Sequence, residues 1–534
     1  MASGATRWTR ALGPGLLMGA IGCGGDGTGP TARCPTAQDP LQVGQVAILD
    51  TTGLSGCAVL TAAGDAEYLV VPFTANFEQS GSFVLSVSGA HVSAEPAASA
   101  APASSAADRF HRAVRAWEAR FAAAGWTPAR AAGPRLQAPP TVGQVDSFWV
   151  VQNIDSLRVD TVRASDFVRV GATLKFVGQN TLLYQDNEAP AGGFTDAELA
   201  TLGQMYDGTL YPLAVNTFGS TSDVNRDGRV TILLTPYVNA LTPDTATSVI
   251  VGFFFPLDLF ATQTPGCAIC ARSNEQEIFY GIVPDPQGLF SAPRSKERVR
   301  DILPPVAIHE TQHMINFNQK VFVRGLLNSE IVWLNEALSH IAEEIGGDAF
   351  AAAGDDSTAQ LFYDPNFDRA FRFLEETWNH ALTFVEGAGT LEERGAGWLF
   401  LRWVGDQYGD AVFGQLVQSR DRGVPNVENR TRAKFFTLFG EWAVTMYTDD
   451  LAVPNLSPRF QVRKWPLRSL LTSGGAYTLQ PERLTFSQVR GAGRTRTLKA
   501  SSPYYLLVDA DGSGDLALEV DVSGKAGLAL LRLR

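Results

Sequence analysis

Pro304-Pro305-Val306-Ala307-Ile308-His309-Glu310-Thr311-Gln312-His313-Met314-Ile315-Asn316-Phe317 is the stretch on which the reading of this chain turns. Prolines suit the first turn of a helix, where the missing N–H costs nothing, so a helix is predicted to begin near Asp301. Ile302, Val306, Met314 and Phe317 recur at helical spacing and define an apolar face. His309 and His313 lie four residues apart, which stacks their rings about one turn apart on one side. Two imidazoles placed so can converge on one Zn²⁺ at about 2.1 Å each. Glu310 lies about 100° round the helix, within reach of a metal-bound water without being a ligand. With six histidines in 534 residues, chance makes such a pattern rarely. The plain alternative is two satisfied core histidines beside a solvent-facing charge.

A third ligand is offered by Ile331-Val332-Trp333-Leu334-Asn335-Glu336-Ala337-Leu338-Ser339-His340-Ile341-Ala342-Glu343-Glu344. Trp333, Ala337, His340, Ile341 and Glu344 follow the three-to-four rule, which sets Glu336 among residues that want burial. An unpaired carboxylate there would be expensive or would protonate. Coordination removes the conflict and completes a His₂Glu set with a fourth position open for water. Glu330, Glu343 and Glu344 are rival carboxylates. Glu336 is favoured for its place near the helix start, and its plain reading is a hydrogen-bond partner of His340.

His309-Glu310-Thr311-Gln312-His313 followed by Trp333-Leu334-Asn335-Glu336-Ala337-Leu338-Ser339 resembles the glutamate-zincin pattern, in which H-E-x-x-H precedes N-E-x-x-S on the next helix. More narrowly, the chain resembles the hyicolysin family of bacterial neutral zinc metallopeptidases. Asp223-Val224-Asn225-Arg226-Asp227-Gly228-Arg229-Val230-Thr231-Ile232-Leu233-Leu234 and Ser273-Asn274-Glu275-Gln276-Glu277-Ile278-Phe279-Tyr280 support that likeness, which covers roughly residues 145–450. The resemblance implies His309, His313 and Glu336 as ligands of one zinc per chain and Glu310 as general base. Thermolysin-like relatives carry an Asp four residues after the third ligand, where it orients a zinc histidine. Here that position is His340. His340, Tyr363 and His380 are candidates to stabilise charge on the reacting carbonyl, because all three follow the ligand set.

Outward from this core, residues 42–90 alternate strand-like runs with turns, and residues 459–534 do the same. Ala94 to Ala107 is almost entirely Ala, Pro and Ser and reads as a linker. Phe110, Val114, Trp117 and Phe121 mark an amphipathic helix over Asp108 to Gly125, suited to a propeptide-like or docking element. Strands are expected over 145–184, 229–234, 249–255 and 277–283, and a mainly helical region from Asp301 to Thr448. The fold expected is therefore multidomain α+β. A zincin-like metallopeptidase core, with a mixed sheet and active-site helices, is flanked by small all-β sandwich-like modules. The divisions are 1–22 signal peptide, 23–92 N-terminal β module, 93–144 linker and helix, 145–455 metallopeptidase domain and 456–534 C-terminal β domain.

Arg7 and Arg10 precede a short apolar run, Leu12 to Ile21, that ends at Gly22-Cys23-Gly24-Gly25. This reads as a lipoprotein-type signal peptide with Cys23 as the lipidated residue, and so as a bacterial chain that is extracellular or anchored at the cell surface or outer membrane. Four cysteines remain. Export permits disulfides: Cys34 with Cys57 could staple the first β segment, and Cys267 with Cys270 could close a local loop. A formal charge of −12, from 43 Lys and Arg against 55 Asp and Glu, argues against a nucleic-acid partner.

Asp223, Asn225 and Asp227 with Gly228 resemble the start of a calcium loop, but Leu234 stands where the bidentate Glu should be. A simple Asx turn explains the same letters. Three functional classes follow: a zinc metallopeptidase acting on peptides or proteins, an aminopeptidase-type zinc hydrolase, and a non-catalytic surface adhesion protein built on β modules.

Overall fold

In the computed structural model the described residues are 40–51, 56–89, 105–129, 139–152, 163–244, 246, 248–385 and 387–534. The expected signal segment, Cys23 and Cys34 lie outside them. No helix among the described residues is long and apolar enough to cross a membrane.

The two β segments at the ends of the chain build one sandwich. From the first come β1 (Val46–Asp50), β2 (Gly56–Leu60), β3 (Glu67–Thr74) and β4 (Ser82–Ser88). A separate central sheet holds β5 (Val145–Val151), β6 (Phe167–Val177), β7 (Thr181–Asp186), β8 (Val230–Leu234), β9 (Gly252–Phe254) and β10 (Ile278–Gly281). A two-residue hairpin, β11 (Thr472–Ser473) and β12 (Ala476–Tyr477), leads into β13 (Glu482–Thr485), β14 (Arg494–Lys499), β15 (Leu506–Asp509), β16 (Leu516–Val522) and β17 (Ala526–Arg532). The sandwich sheets run β1-β17-β3-β15-β13 and β14-β4-β16-β2.

The expectation of two separate flanking modules is thereby corrected. β17 lies between β1 and β3, and β16 lies between β4 and β2. Each end of the chain alone would leave these strands without a hydrogen-bonding neighbour, which favours pairing across the whole length of the chain. Tyr68 and Val70 of β3 face the sandwich interior with Leu528 and Leu530. Their alternates Leu69, Val71 and Phe73 face the helical region, where Phe73 meets Phe436 and Phe439 at 5.2 and 5.1 Å between rings. The period of two therefore joins sandwich to core through one buried sheet.

The central sheet has the order β5-β6-β7-β8-β10-β9, with β7, β8 and β10 mutually parallel and β9 antiparallel at the edge. Around it lie α1 (Ala106–Ala123), α2 (Asp196–Met205), α3 (Tyr211–Phe218), α4 (Pro236–Ala240), α5 (Lys296–Phe317), α6 (Val332–Ala352), α7 (Asp356–Glu375) and α8 (Leu391–Tyr408). Further helices continue to Thr448. A capping box starts α2, with Thr195 accepting from the Glu198 N–H and the Glu198 carboxylate accepting in return.

α5 begins earlier than its prolines suggest. Ser295 caps it by accepting from the Arg298 N–H, so Pro304 and Pro305 fall in its interior. A proline there removes a backbone bond and costs about 3 kcal/mol. Burial on both sides of the prolines, by Val299 and Leu303 before them and Ala307 and Ile308 after them, offsets that cost. α6 differs too. It is buried at every position from Trp333 to Glu344, because α5, α7 and α8 all pack on it, so polar residues such as Glu336 and Glu343 need partners inside the core. The close approach of α7 and α8 needs Gly395, where a Cβ would come within 2.2 Å of the Arg369 carbonyl oxygen. The whole is a mixed α+β fold around a buried His/Glu cluster.

Candidate metal centre

α5 presents His309, Glu310 and His313, and α6 presents Glu336, His340 and Glu343, to one buried region. The Nε2 atoms of His309 and His313 stand 3.1 Å apart. Glu336 reaches both, at 3.7 Å from His309 Nε2 and 3.6 Å from His313 Nε2. Donors each about 2.1 Å from a tetrahedral zinc lie about 3.4 Å from one another, so this spacing fits such an ion. Glu336 Oε1 is buried without a hydrogen-bond partner, although Arg115 Nε lies 3.4 Å away and Arg394 Nε lies 3.7 Å from Oε2. Burial resists charge on Glu336, but Arg394, the two histidines and Arg115 hold its carboxyl well below the usual range.

Two overlapping donor sets are close enough to share a metal: His309, Glu310 and His313, and His309, His340 and Glu343. The two nitrogens of His309 distinguish them. Nδ1 is 2.7 Å from Glu343 Oε1, while Nε2 faces His313 and Glu336. Glu343 is itself fully engaged, with His340 Nδ1 at 3.0 Å and Arg369 Nη1 donating at 3.0 Å. Within that set His340 Nε2 is buried without a hydrogen-bond partner, while the other set draws two imidazole Nε2 atoms to 3.1 Å. Burial works against charge on His309, yet Glu336 and Glu343 prevail and lift it to about 9. Burial, aided by Arg115, depresses His313 well below the ordinary value. Ser339 Oγ donates to Gln312 Oε1 at 2.6 Å and lies 3.3 Å from His313 Nδ1, which accounts for a serine three residues after Glu336.

Glu310 accepts from the Phe254 N–H of β9 at 3.0 Å. Burial raises its carboxyl, against the pull of Arg115 and His309. His340 lies beside His309, with 4.9 Å between ring centroids, and burial pushes it down to about 3. The structure does not bring Tyr363 or His380 to this cluster. Tyr363 is inside α7, not in a loop, and its hydroxyl donates to Asp348 at 2.8 Å. His380 follows a short helical turn at the junction with β14, with Glu392, Glu376 and Lys499 as its charged neighbours. Among the rival carboxylates, Glu330 pairs with Lys320 at 2.8 Å, both fully buried, and Glu344 accepts from Trp398 and Arg402 at 2.7 and 3.0 Å.

Sequence reasoning missed the contribution of α1. Phe110 packs edge-on against Phe253 at 5.1 Å, and Phe121 against Phe255 and Phe260, so the helix lies beside β9. It carries Arg115 to within 3.4 Å of Glu310 Oε2, with Glu118 pairing behind it at 2.6 Å. His111 feels Glu336, Arg394, Arg115 and His309, and burial keeps it neutral. The available signal was the spacing of His111, Arg115 and Glu118 at i, i+4 and i+7, a charged stripe flanking the apolar one. Cys267 and Cys270 form the expected local disulfide, and Cys57 is disulfide-bonded.

The chain is similar to the neutral metalloprotease ShpI of Staphylococcus hyicus. The two are 29% identical over 196 residues, which is 36% of this chain and 40% of that protein. The chain thus spans less than half the length of the curated relative that it matches. No protein-family model matches it. Cluster and partial similarity point together to metal-dependent, hydrolase-like chemistry in general terms.

Proposed function

We propose that this chain is a zinc metallopeptidase of the glutamate-zincin type, with His309, His313 and Glu336 as ligands and Glu310 as general base. The observation that carries the reading is the convergence of two imidazole Nε2 atoms and the buried Glu336 carboxylate, whose Oε1 accepts no hydrogen bond, within 3.1–3.7 Å of one another. A zinc ion held there lowers the pKa of a water toward about 7 and polarises a carbonyl. Glu310, raised by burial, takes a proton from the attacking water and returns it to the leaving amine nitrogen. Glu343 accepts the Nδ1–H of His309, which fixes the tautomer that leaves Nε2 free. This glutamate serves where thermolysin-like relatives use an aspartate, and His340 joins it as a hydrogen-bond partner.

β9 is the last strand of its sheet and its Phe254 N–H touches Glu310. An extended peptide laid along such an edge would pass the base, which supports a peptide or protein substrate. Disulfide bonding at Cys57 and at Cys267–Cys270 supports an exported chain, at the bacterial surface through Cys23 or free outside it.

The test is metal analysis beside a casein-type assay on the full chain and on Glu310→Gln. About one zinc per chain is expected in both, with hydrolysis falling roughly 10²–10⁴-fold in the variant. Zinc-free active protein, or substantial cleavage by Glu310→Gln, would refute the assignment.

A further inference from the structure

The Asp223–Gly228 turn lacks one ligand when read in sequence, and the fold brings up a residue that meets the need. Asp223 Oδ1 accepts from the Gly228 N–H at 3.1 Å, Asn225 Oδ1 from the Asp227 N–H at 3.3 Å, and Asp227 Oδ1 from the Arg229 N–H at 2.8 Å. Arg226 and Gly228 both have φ near +60 to +70°, which wraps the chain around a small interior and suits glycine at the second position. In a calcium loop the carboxylate at position 12 comes from the helix that follows. Here β8 follows instead, and its neighbour β10 runs parallel with Ile278 opposite Thr231. That register sets Glu277 beside the loop, where the Thr231 N–H donates to the Glu277 carbonyl at 2.8 Å.

The Glu277 side chain turns into the loop. Oε1 accepts from the N–H of Val224, the loop's second residue, at 3.0 Å. Oε2 is buried and has no partner, and the nearby Ser222 hydroxyl has none either. The residue is 0% exposed. Burial, with Asp223 adding to it, lifts the carboxyl to about 7 against the pull of nearby Ser222 and of the Val224 N–H. A fully buried carboxylate oxygen beside the Asp223 carboxylate is costly unless a cation joins them. Arg229, at the seventh loop position, offsets Asp227 in part, but its guanidinium donates to the Gly178 and Asp227 carbonyls.

We propose that Asp223, Asn225, Asp227 and Glu277 form a calcium site, with the Arg229 carbonyl at the seventh loop position as a further oxygen. Hard oxygen donors with three carboxylates suit Ca²⁺ over zinc, which prefers nitrogen and sulfur. A cavity of about 240 Å³ bordered by Ser222, Asp223 and Arg226 gives access from solvent. The site ties the loop to β10 and, through the Asn318 and Gln319 amides that donate to the Ser220 carbonyl at 3.0 Å, to the end of α5. It does not depend on the peptidase reading.

The experiment titrates Ca²⁺ into zinc-loaded full-length protein by calorimetry, with zinc content measured before and after, and repeats it with Tb³⁺. Terbium luminescence sensitised through Tyr211 reports the location, since Tyr211 feels both Glu277 and Asp223. One saturable Ca²⁺ per chain is expected at about 10⁻⁴ M or tighter, with zinc retained and the thermal midpoint raised by several degrees. Asp227→Asn and Glu277→Gln should each weaken binding roughly tenfold or more and remove the thermal shift. If Glu277→Gln fails to fold, Glu277→Asp, which keeps the charge but shortens its reach, should show the same loss. No saturable Ca²⁺ binding, binding that displaces zinc, or wild-type affinity in the Glu277 variant would overturn the site.

Discussion

Arg115 Nη2 lies 3.4 Å from Glu310 Oε2, so the carboxylate read as the general base is already engaged by a guanidinium from α1. Arg115 also faces Glu336 and is paired with Glu118. Removing it leaves Glu118 buried with the neutral Asn335 amide as its donor and no opposite charge from Arg115, a loss of about 3–5 kcal/mol for a buried ion pair broken on one side. Arg115→Ala should therefore loosen α1, seen as faster hydrogen exchange over 106–123. Peptide hydrolysis should rise several-fold as Glu310 and β9 become accessible. A rate that falls with zinc retained would show instead that Arg115 serves the reaction.

Glu336→Ala takes away a carboxylate that two histidines and two arginines converge on. Loss of stoichiometric metal, with hydrolysis at background, is the expected result. Dialysis of wild type against a chelator should reproduce it, and zinc should restore activity to wild type only. Tight binding of one zinc by Glu336→Ala would remove Glu336 from the ligand set.

Glu343 holds His309 Nδ1 at 2.7 Å. Replacing such a partner typically weakens metal affinity 10–100-fold, and Glu343→Ala should do so in competition with a chromogenic chelator. Equal affinity in variant and wild type would make Glu343 a packing residue.

Burial lifts Asp258 to about 7, against hydrogen bonds from Tyr280 and Asn274. The ordinary carboxylate value is near 3.9. Between these values the folded chain holds this proton more tightly than the unfolded chain. The group's stabilising contribution is thus full below about pH 4, is lost as pH rises through about 7, and is constant above. Denaturant unfolding of wild type and Asp258→Asn should show a difference that changes between about pH 4 and 7 and is level beyond about pH 8. A pH-independent difference would refute the assigned shift.

Local rules carried much of this protein. Spacing along one helix places His309 and His313 together whatever surrounds them, because a turn of helix is a fixed length. Thr195 and Glu198 cap α2 by bonds made within four residues, and short apolar runs such as Val230–Leu234 marked the buried strands of the central sheet. Ser105 likewise starts α1, the amphipathic helix that Phe110, Val114, Trp117 and Phe121 foretold. Of the rival carboxylates, Glu330 and Glu344 pair away from the two helix-spaced histidines, whereas Glu343 stands 2.7 Å from His309 Nδ1.

Tertiary structure decided what depends on pairs distant in sequence. Neither end of the chain states that β17 will lie between β1 and β3, because backbone hydrogen bonds carry no side-chain label. Nothing in α1 alone says that Arg115 will stand against Glu310, 195 residues on, and nothing near Leu234 says that Glu277 will reach the Asp223 turn. The sequence by itself determined the residues that could bind a metal. Their partners were decided by burial, which makes every unpaired charge costly and so selects the packing in which Glu336, Glu343 and Arg115 each find an opposite charge or a donor.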